Sequence, residues 1–518
     1  NTSSQELNYS FAICITGEFG KYQKYLFCVL MVFCLFLTFV YFTQLFLTVV
    51  PAEYWCRLPE VEGITIERLK ELMIPSSKLV PYEGHQLSYS RCWIYDIPVR
   101  EVLSANKPNE NWPLKKCSDW DYKLSSADVP YMSVASEQNW VCDQAYKATV
   151  AQSVFFVGSI VGGLFFGWLA DKYGRVPVLI GTNMMGFIGG ISTVYIAQFW
   201  QFCICRFIVG LAYDNTFVIA YILVLEYVGP KWRTFTANLS YGIFYTLGAM
   251  TLPWMAYGIS SWKTFAVVTS VPLASVIVAP FIIPESIEKS RYSASPVYNS
   301  YLIQGNSQSF DRRITLLLTI SWGVIQMAYD GHIRCLDSLG LDVFTTFTIA
   351  SATEFPAEVL IIYTLDIVGR RWTLFGSVLL SGLFSLFAAS VPIGGLFASF
   401  AVCGRFFINI SSNVAMQFGA ELLPTVVRGE GLAFIHVMGY VTSICSPFIA
   451  FSSRVMYNLP MIILGILCVL TAVICLFLPE TLMEQLPQTL LGGTNSLNKS
   501  ERSFLKVRDP LIMVIILA

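Results

Sequence analysis

Twelve apolar runs, each about twenty residues long, recur along this 518-residue chain with short charged segments between them. A run of that length crosses a hydrocarbon layer of about 30 Å as an α-helix. In lipid a helix satisfies its own backbone groups, so few folds remain open to such a pattern. The runs fall near 25–50, 147–169, 176–197, 200–223, 236–257, 264–283, 314–333, 343–363, 373–391, 395–418, 431–451 and 459–478. The first is too long for the apolar part of a cleavable signal and reads as a membrane helix. Only 13% of residues are charged, against about 25% in soluble domains. The expected fold class is an all-α membrane protein with twelve transmembrane helices.

Basic residues in short loops set orientation. Lys172, Arg175, Lys231, Arg233, Lys289, Arg291, Arg312, Arg313, Arg370, Arg371 and Arg428 fall on one side, against Lys263, Arg334 and Arg454 on the other. Both termini are therefore expected in the cytoplasm of a multi-pass plasma-membrane protein. The division is a cytoplasmic tail 1–24, a six-helix half 25–283, a short loop 284–313, a second half 314–478 and a tail 479–518. Residues 51–143 form a polar outer segment with Cys56, Cys92, Cys117 and Cys142. Four cysteines on the oxidising side imply two disulfides, with three pairings open. The Asn-x-Ser/Thr matches at Asn8, Asn238, Asn409 and Asn498 fall in tails or apolar runs, so none is expected to carry glycan.

The chain also repeats itself. GWLADKYGRVPVL (167–179) and IYTLDIVGRRWTL (362–374) share Asp, Gly and Arg at an offset of 195 residues. The same offset relates Glu226 to Glu421, Arg233 to Arg428 and Pro284-Glu285 to Pro479-Glu480, while Arg206 and Arg405 differ by 199. Several separated anchors in one register mark a duplicated six-helix unit, an architecture of alternating-access transporters. In the D-x-x-G-R loops, Gly174 and Gly369 permit a tight turn. Asp171 with Arg175, and Asp366 with Arg370, place charge at helix ends. With Glu226/Arg233, Glu421/Arg428 and the repeated Arg206 and Arg405 they are candidate gating groups, because ion pairs at a sliding interface can hold two arrangements.

The run E-F-G-x-Y-Q (18–23), the four-cysteine segment ending W-V-C-D (140–143), E-Y-V-G-P-K-W-R (226–233), E-F-P (354–356) and A-E-L-L-P-T-V-V-R-G-E-G (420–431) carry a more specific signal. Together they resemble the organic cation, organic anion and carnitine transporter family of the major facilitator superfamily, from about residue 18 to 481. The resemblance implies two six-helix pseudo-repeats and a small organic solute as substrate. Relatives usually follow Pro-Glu-Ser after the sixth span with Pro-Arg-Trp-Leu and a helical loop. Here P-E-S-I-E-K-S (284–290) leads to the seventh span within about thirty residues.

Charged residues within membrane runs are costly and usually face a cavity. Asp214 in span 4 and Glu354 in span 8 are therefore candidate substrate acids, and Asp330 in span 7 is expected near the outer mouth. Tyr41, Tyr241, Tyr245, Trp322 and Tyr329 supply aromatic faces, and a desolvated ammonium gains about 2 kcal/mol over such a face. Tyr41, Tyr241, Trp322 and Tyr329 resemble cavity-lining positions of the family. In span 11, where the family's cation carriers place Asp and its anion and carnitine carriers Arg, this chain has Tyr440, with His436 one turn earlier. Three acids and no identified cavity arginine favour a cationic or zwitterionic amine over an anion. There is no G-x-x-x-x-G-K-[ST] run, no metal-ligand cluster and no nucleophile–base pair, so neither cofactor, metal, nucleic acid nor enzyme chemistry is expected. Two alternatives are an organic anion exchanger of the same family and a transport-dead receptor using the outer segment.

Overall fold

The computed structural model describes residues 20–76, 89–105, 107–109, 111–125, 128–227, 241–282, 312–335, 342–423 and 428–481. Most of the tail at 1–24, the loop at 284–313 and most of the tail at 479–518 lie outside the described residues. So do Arg233 and the side chains of Asp171, Asp214, Glu226, Tyr241, Asp366 and Arg428.

Among the described residues, twelve helical spans follow the expected order. In the first half they are Lys21–Leu47, Tyr146–Tyr173, Arg175–Ser192, Phe199–Tyr227, Thr246–Ile259 behind a π-turn at Tyr241–Tyr245, and Trp262–Ser270 continued by tighter turns to Ile282. In the second they are Arg312–Arg334, Val343–Ala352 with Glu354–Val368, Arg370–Ser390, Gly395–Leu422, Arg428–Ser443 and Leu459–Cys475. Among the described residues six helices are long and apolar enough to cross a membrane by composition alone. Spans 7 and 8 are not among them. Asp330, His332 and Arg334, and then Glu354 and Glu358, lower their hydropathy, and all five side chains are buried. Pro356 cannot donate to the carbonyl of Ala352, which accounts for the break of span 8 at Thr353. Asn409 of span 10 ties that break down through the Thr353 hydroxyl at 2.9 Å.

Within the first half, span 4 packs against spans 2 and 3; in the second, span 9 packs against spans 10 and 12, and span 7 against span 11. The halves meet where span 5 lies along span 8 and span 2 along span 11. Gly158 and Gly210 let spans 2 and 4 touch backbone to backbone, since a Cβ on Gly158 would sit 3.2 Å from the Cα of Gly210.

The two D-x-x-G-R loops turn alike. Gly174 has φ 104° and Gly369 φ 94°, with nearly equal ψ of 164° and 166°. Neither conformation suits a residue with a Cβ. At the second loop Glu480 accepts the backbone N–H groups of Arg370 (2.9 Å) and Arg371 (3.2 Å), capping the start of span 9. Arg370 reaches the Glu421 carboxylate at 3.1 Å, and the Thr481 hydroxyl donates to Glu421 at 2.6 Å. Glu421 is thus engaged within its own half.

The described residues of the segment 51–143 form a small cap on one face. Strand β1 (Tyr54–Cys56) pairs antiparallel with β4 (Trp120–Tyr122), and β2 (Trp93–Tyr95) with β3 (Leu114–Lys116). Of the three open pairings, the structure forms Cys56–Cys117 and Cys92–Cys142. The first bond joins β1 to the end of β3, and the second ties β2 to the entry of span 2. The cap docks through Tyr131, which donates to the carbonyl of Phe46 at 2.9 Å, and Glu137, which accepts from Trp262 at 2.6 Å. Lys70 lies over the Trp55 ring, and burial holds its ammonium below the usual lysine range.

Candidate substrate-binding site

Spans 1, 5, 7, 8, 10 and 11 bring most of the candidate residues to the seam between the halves, in two polar groups. The first lies toward the cap. The Tyr41 hydroxyl of span 1 donates to the Asp330 carboxylate of span 7. Arg334, one turn on, donates to the Tyr41 oxygen at 3.2 Å and through Nε to Gln152 of span 2 at 3.2 Å. Its guanidinium stands 3.8 Å from the Asp330 carboxylate. This group joins both halves. Asp330 is only 1% exposed, so the expectation of a solvent-facing acid at the mouth is corrected. Arg334 is likewise no loop charge: it ends a helix and is buried.

Aromatic rings close the seam around this group. Tyr41 stacks on Tyr213 at 4.9 Å, and Tyr213 meets Tyr440 edge-on at 6.0 Å. Phe42 and Phe46 of span 1 pack on Phe347 of span 8, each at 5.1 Å. The Ser153 hydroxyl of span 2 donates to the carbonyl of Ile444 at 3.0 Å, adding a hydrogen bond across the seam.

The second group lies deeper. Glu354 Oε1 accepts from Arg405 of span 10 at 2.7 Å and from the Tyr329 hydroxyl at 2.8 Å. Arg405 also donates to the carbonyl of Tyr329 at 2.6 Å and lies 3.8 Å over its ring. Tyr245, just at the end of the π-turn in span 5, hydrogen-bonds Tyr329 at 3.1 Å. Glu354 and Arg405 are each 1% exposed, so their mutual attraction is stronger than in water and offsets the cost of burying two charges. Arg405 was expected among the gating groups; here it neutralises the leading candidate acid. The expectation that no arginine meets the cavity acids is corrected twice, by Arg405 and by Arg334.

Trp322 is buried and packs 4.9 Å from the ring of His436, so these two candidates meet each other on spans 7 and 11. Arg206, the repeat partner of Arg405, is buried in span 4 and donates to the Thr193 hydroxyl, away from both groups. Two residues escaped the sequence reading. His332 is buried between the Ala328 carbonyl and the Ser385 hydroxyl, a packing role. Glu358 is 4% exposed, one helical turn from Glu354 on the same face. Its signal was available, as a second acid four residues on within an apolar run.

Beneath the cap lies a cavity of about 1150 Å³ reaching down to Gln152 and Arg334. Arg91, Lys116, Arg334 and Arg454 line it against Asp143. The entrance is therefore basic while the buried seam is acidic.

These features, twelve spans in two alike halves with a polar seam between them, are those of the major facilitator fold. The fold matches the inward-open xylose transporter XylE from E. coli with a TM-score of 0.56, at 15% identity, over 91% of this chain and 99% of that one. Residues 119–305 match the family model described as Sugar (and other) transporter. More specifically, the Drosophila melanogaster organic cation transporter protein is 29% identical over 94% of this chain and 95% of its own length. The beta-alanine transporter of the same organism is 29% identical over 92% of this chain and 87% of its own. The chain is a multi-pass membrane transporter, not an enzyme, related along its length to the organic cation and carnitine transporters.

Proposed function

We propose that this chain carries small organic amines, as cations or zwitterions, across the plasma membrane by alternating access. In this reading the cap faces outside and both termini face the cytoplasm. One observation carries the charge preference. Among the described residues of the seam, Asp330, Glu354 and Glu358 stand against only Arg334 and Arg405, so one carboxylate there lacks a cationic partner. An ammonium group supplies the missing charge, and the surrounding tyrosines offer it ring faces. The basic cavity under the cap favours the zwitterion within this class. Lys116 is paired with Asp143 at 2.6 Å, but a carboxylate is drawn to Arg91 and Arg454 over a Debye length of about 8 Å, while a plain cation is repelled. The two transporters named above, for organic cations and for beta-alanine, support the same pair of solute types.

Alternating access also gives the capward group a role. The bonds of Tyr41, Asp330, Arg334 and Gln152 bridge the halves on that side, so opening there requires their separation. The test is uptake of matched cationic, zwitterionic and anionic solutes at two membrane potentials. A potential of 100 mV is worth about 2.3 kcal/mol per charge. A cation carried alone then accumulates about 50-fold, by the rule of tenfold per 1.4 kcal/mol. A zwitterion carried alone shows no such dependence. Uptake of anions alone overturns the reading in favour of an anion exchanger.

A further inference from the structure

Two acids, one turn apart on span 8, do different work. Glu354 has its cation: a guanidinium and a phenol both donate to its Oε1, and both partners are themselves buried, although its Oε2 has no partner among the described residues. Glu358 has no cation against it among the described residues. Its side chain is 4% exposed, Asn413 of span 10 hydrogen-bonds the carboxyl group, and Oε1 has no partner among the described residues. A buried carboxylate without a charge partner is costly and calls for an explanation, and a cationic ligand is one that removes the cost. The location is suited to a ligand. The stem of Glu358 stands against Gly242, where an added Cβ would lie 3.2 Å from its Cβ and Cγ. Gly242 belongs to the π-turn Tyr241–Tyr245 of the opposite half. Such turns are rare and recur at functional sites. Across the seam from Glu358 is thus an irregular backbone segment bearing two tyrosines, one of which, Tyr245, reaches the Tyr329–Glu354–Arg405 group.

We propose that Glu358 is the residue that receives the substrate's ammonium group, while Glu354 is a positioning residue that holds Arg405 and Tyr329 in place. The inference rests on the amine-carrier reading above and sharpens it to one carboxylate. In a low-dielectric site an ammonium ion beside an unpaired carboxylate binds far more tightly than in water. Glu354 has already committed that capacity to Arg405.

The experiment measures uptake of phenethylamine and of the matched anion 3-phenylpropionate by cells expressing the full chain, normalised to protein at the surface. Glu358→Gln keeps the shape and the Asn413 contact but removes the charge. It is expected to raise KM for phenethylamine about tenfold or more, a loss of at least ~1.4 kcal/mol. Surface abundance should remain near wild type, and discrimination between amine and anion should fall by the same factor. Glu358→Asp, which retains the charge but withdraws it by one methylene, should recover most of that discrimination. Packing alone would not produce this charge-dependent rescue. An unchanged KM in Glu358→Gln, with amine uptake intact in wild type, overturns the inference alone. Should Glu358→Gln fail to reach the surface, the matched pair Glu358→Asp and Glu358→Asn decides, and equal discrimination between amine and anion in the two overturns the assignment. Wild-type uptake of 3-phenylpropionate with no amine uptake overturns the functional reading and this inference together.

Discussion

The two halves share a scaffold and differ at its centre. Gly174 and Gly369 adopt almost the same backbone, and each half carries a buried arginine, Arg206 or Arg405. Their offset exceeds the general one by four residues, about one helical turn, so the arginine keeps its face. The acids were not kept. At 195 residues before Glu354 stands Ser159, whose hydroxyl is bonded to the carbonyl of Phe155 at 3.1 Å. At the same distance before Glu358 stands Gly163. Arg405 therefore sits in an ion pair, and Arg206 donates to a hydroxyl. Turn geometry held in both copies is what opening and closing need. Charge chemistry found in one copy is what binding an asymmetric solute needs.

The largest expected effect tests that asymmetry directly. Arg405→Met leaves Glu354 buried with no cation, a change that costs about 3–5 kcal/mol when one partner of a buried pair is lost. Arg206→Met removes a charge-assisted hydrogen bond to a hydroxyl and should cost less, about 1.5–3 kcal/mol. Thermal unfolding of the purified proteins in detergent compares the two. Equal losses would break the comparison, by showing that Arg206 has an equivalent partner.

Much of the fold was legible because membrane burial writes itself into length and polarity. The twelve runs needed no tertiary knowledge, and the repeat followed from residues that must bend or cap. Glu480 illustrates the second kind: its place in a repeated Pro-Glu pair was visible, but its capping of Arg370 and Arg371 was not. The site was less legible, because pairing between spans far apart in sequence has no local signature. Arg405 is 51 residues from Glu354, and Arg334 is 293 residues from Tyr41. Without those pairings, Glu354 looked like a free acid and Asp330 like a surface one. Glu358 lay in plain view but became meaningful only once its neighbour was seen to be neutralised.

A smaller effect sharpens the shared side of the comparison. Loss of a helix-capping side chain costs about 0.5–2 kcal/mol. Glu480→Ala should therefore lower the unfolding midpoint of the second half modestly and slow transport. The repeat pairs Glu480 with Glu285, so Glu285→Ala should do the same at Arg175. Hydrogen exchange at the first turns of spans 3 and 9 reads the two caps separately. Faster exchange at span 9 only, when each cap is removed, would mean that the loops share their glycine but not their cap.

The smallest effect concerns the asymmetry that lies outside the membrane. The cap is inserted between spans 1 and 2, and the equivalent link in the second half is only the short stretch from Cys335 to Asp342. Its charges mostly lie in water. Glu53 and Lys123 meet at 2.8 Å, yet both are well exposed. The hydrogen bond from Lys123 holds the Glu53 carboxyl below its usual range. Such a depressed group adds stability above its unfolded value, about pH 4.5, and loses it as pH falls through the folded one. Lys123 is shifted upward by the same contact, so its share is present below the usual lysine value and lost only as pH rises through the folded one. Between those limits Glu53→Gln should change the unfolding midpoint by no more than replicate scatter, because exposed pairs are screened and entropically expensive. Any small difference from wild type should fade as pH falls under 4.5 and vanish only once it has passed the lowered folded value. A large loss at neutral pH would instead place the cap's exposed charges on a par with the buried seam. The contrast between an asymmetry that binds and one that merely covers would then fail.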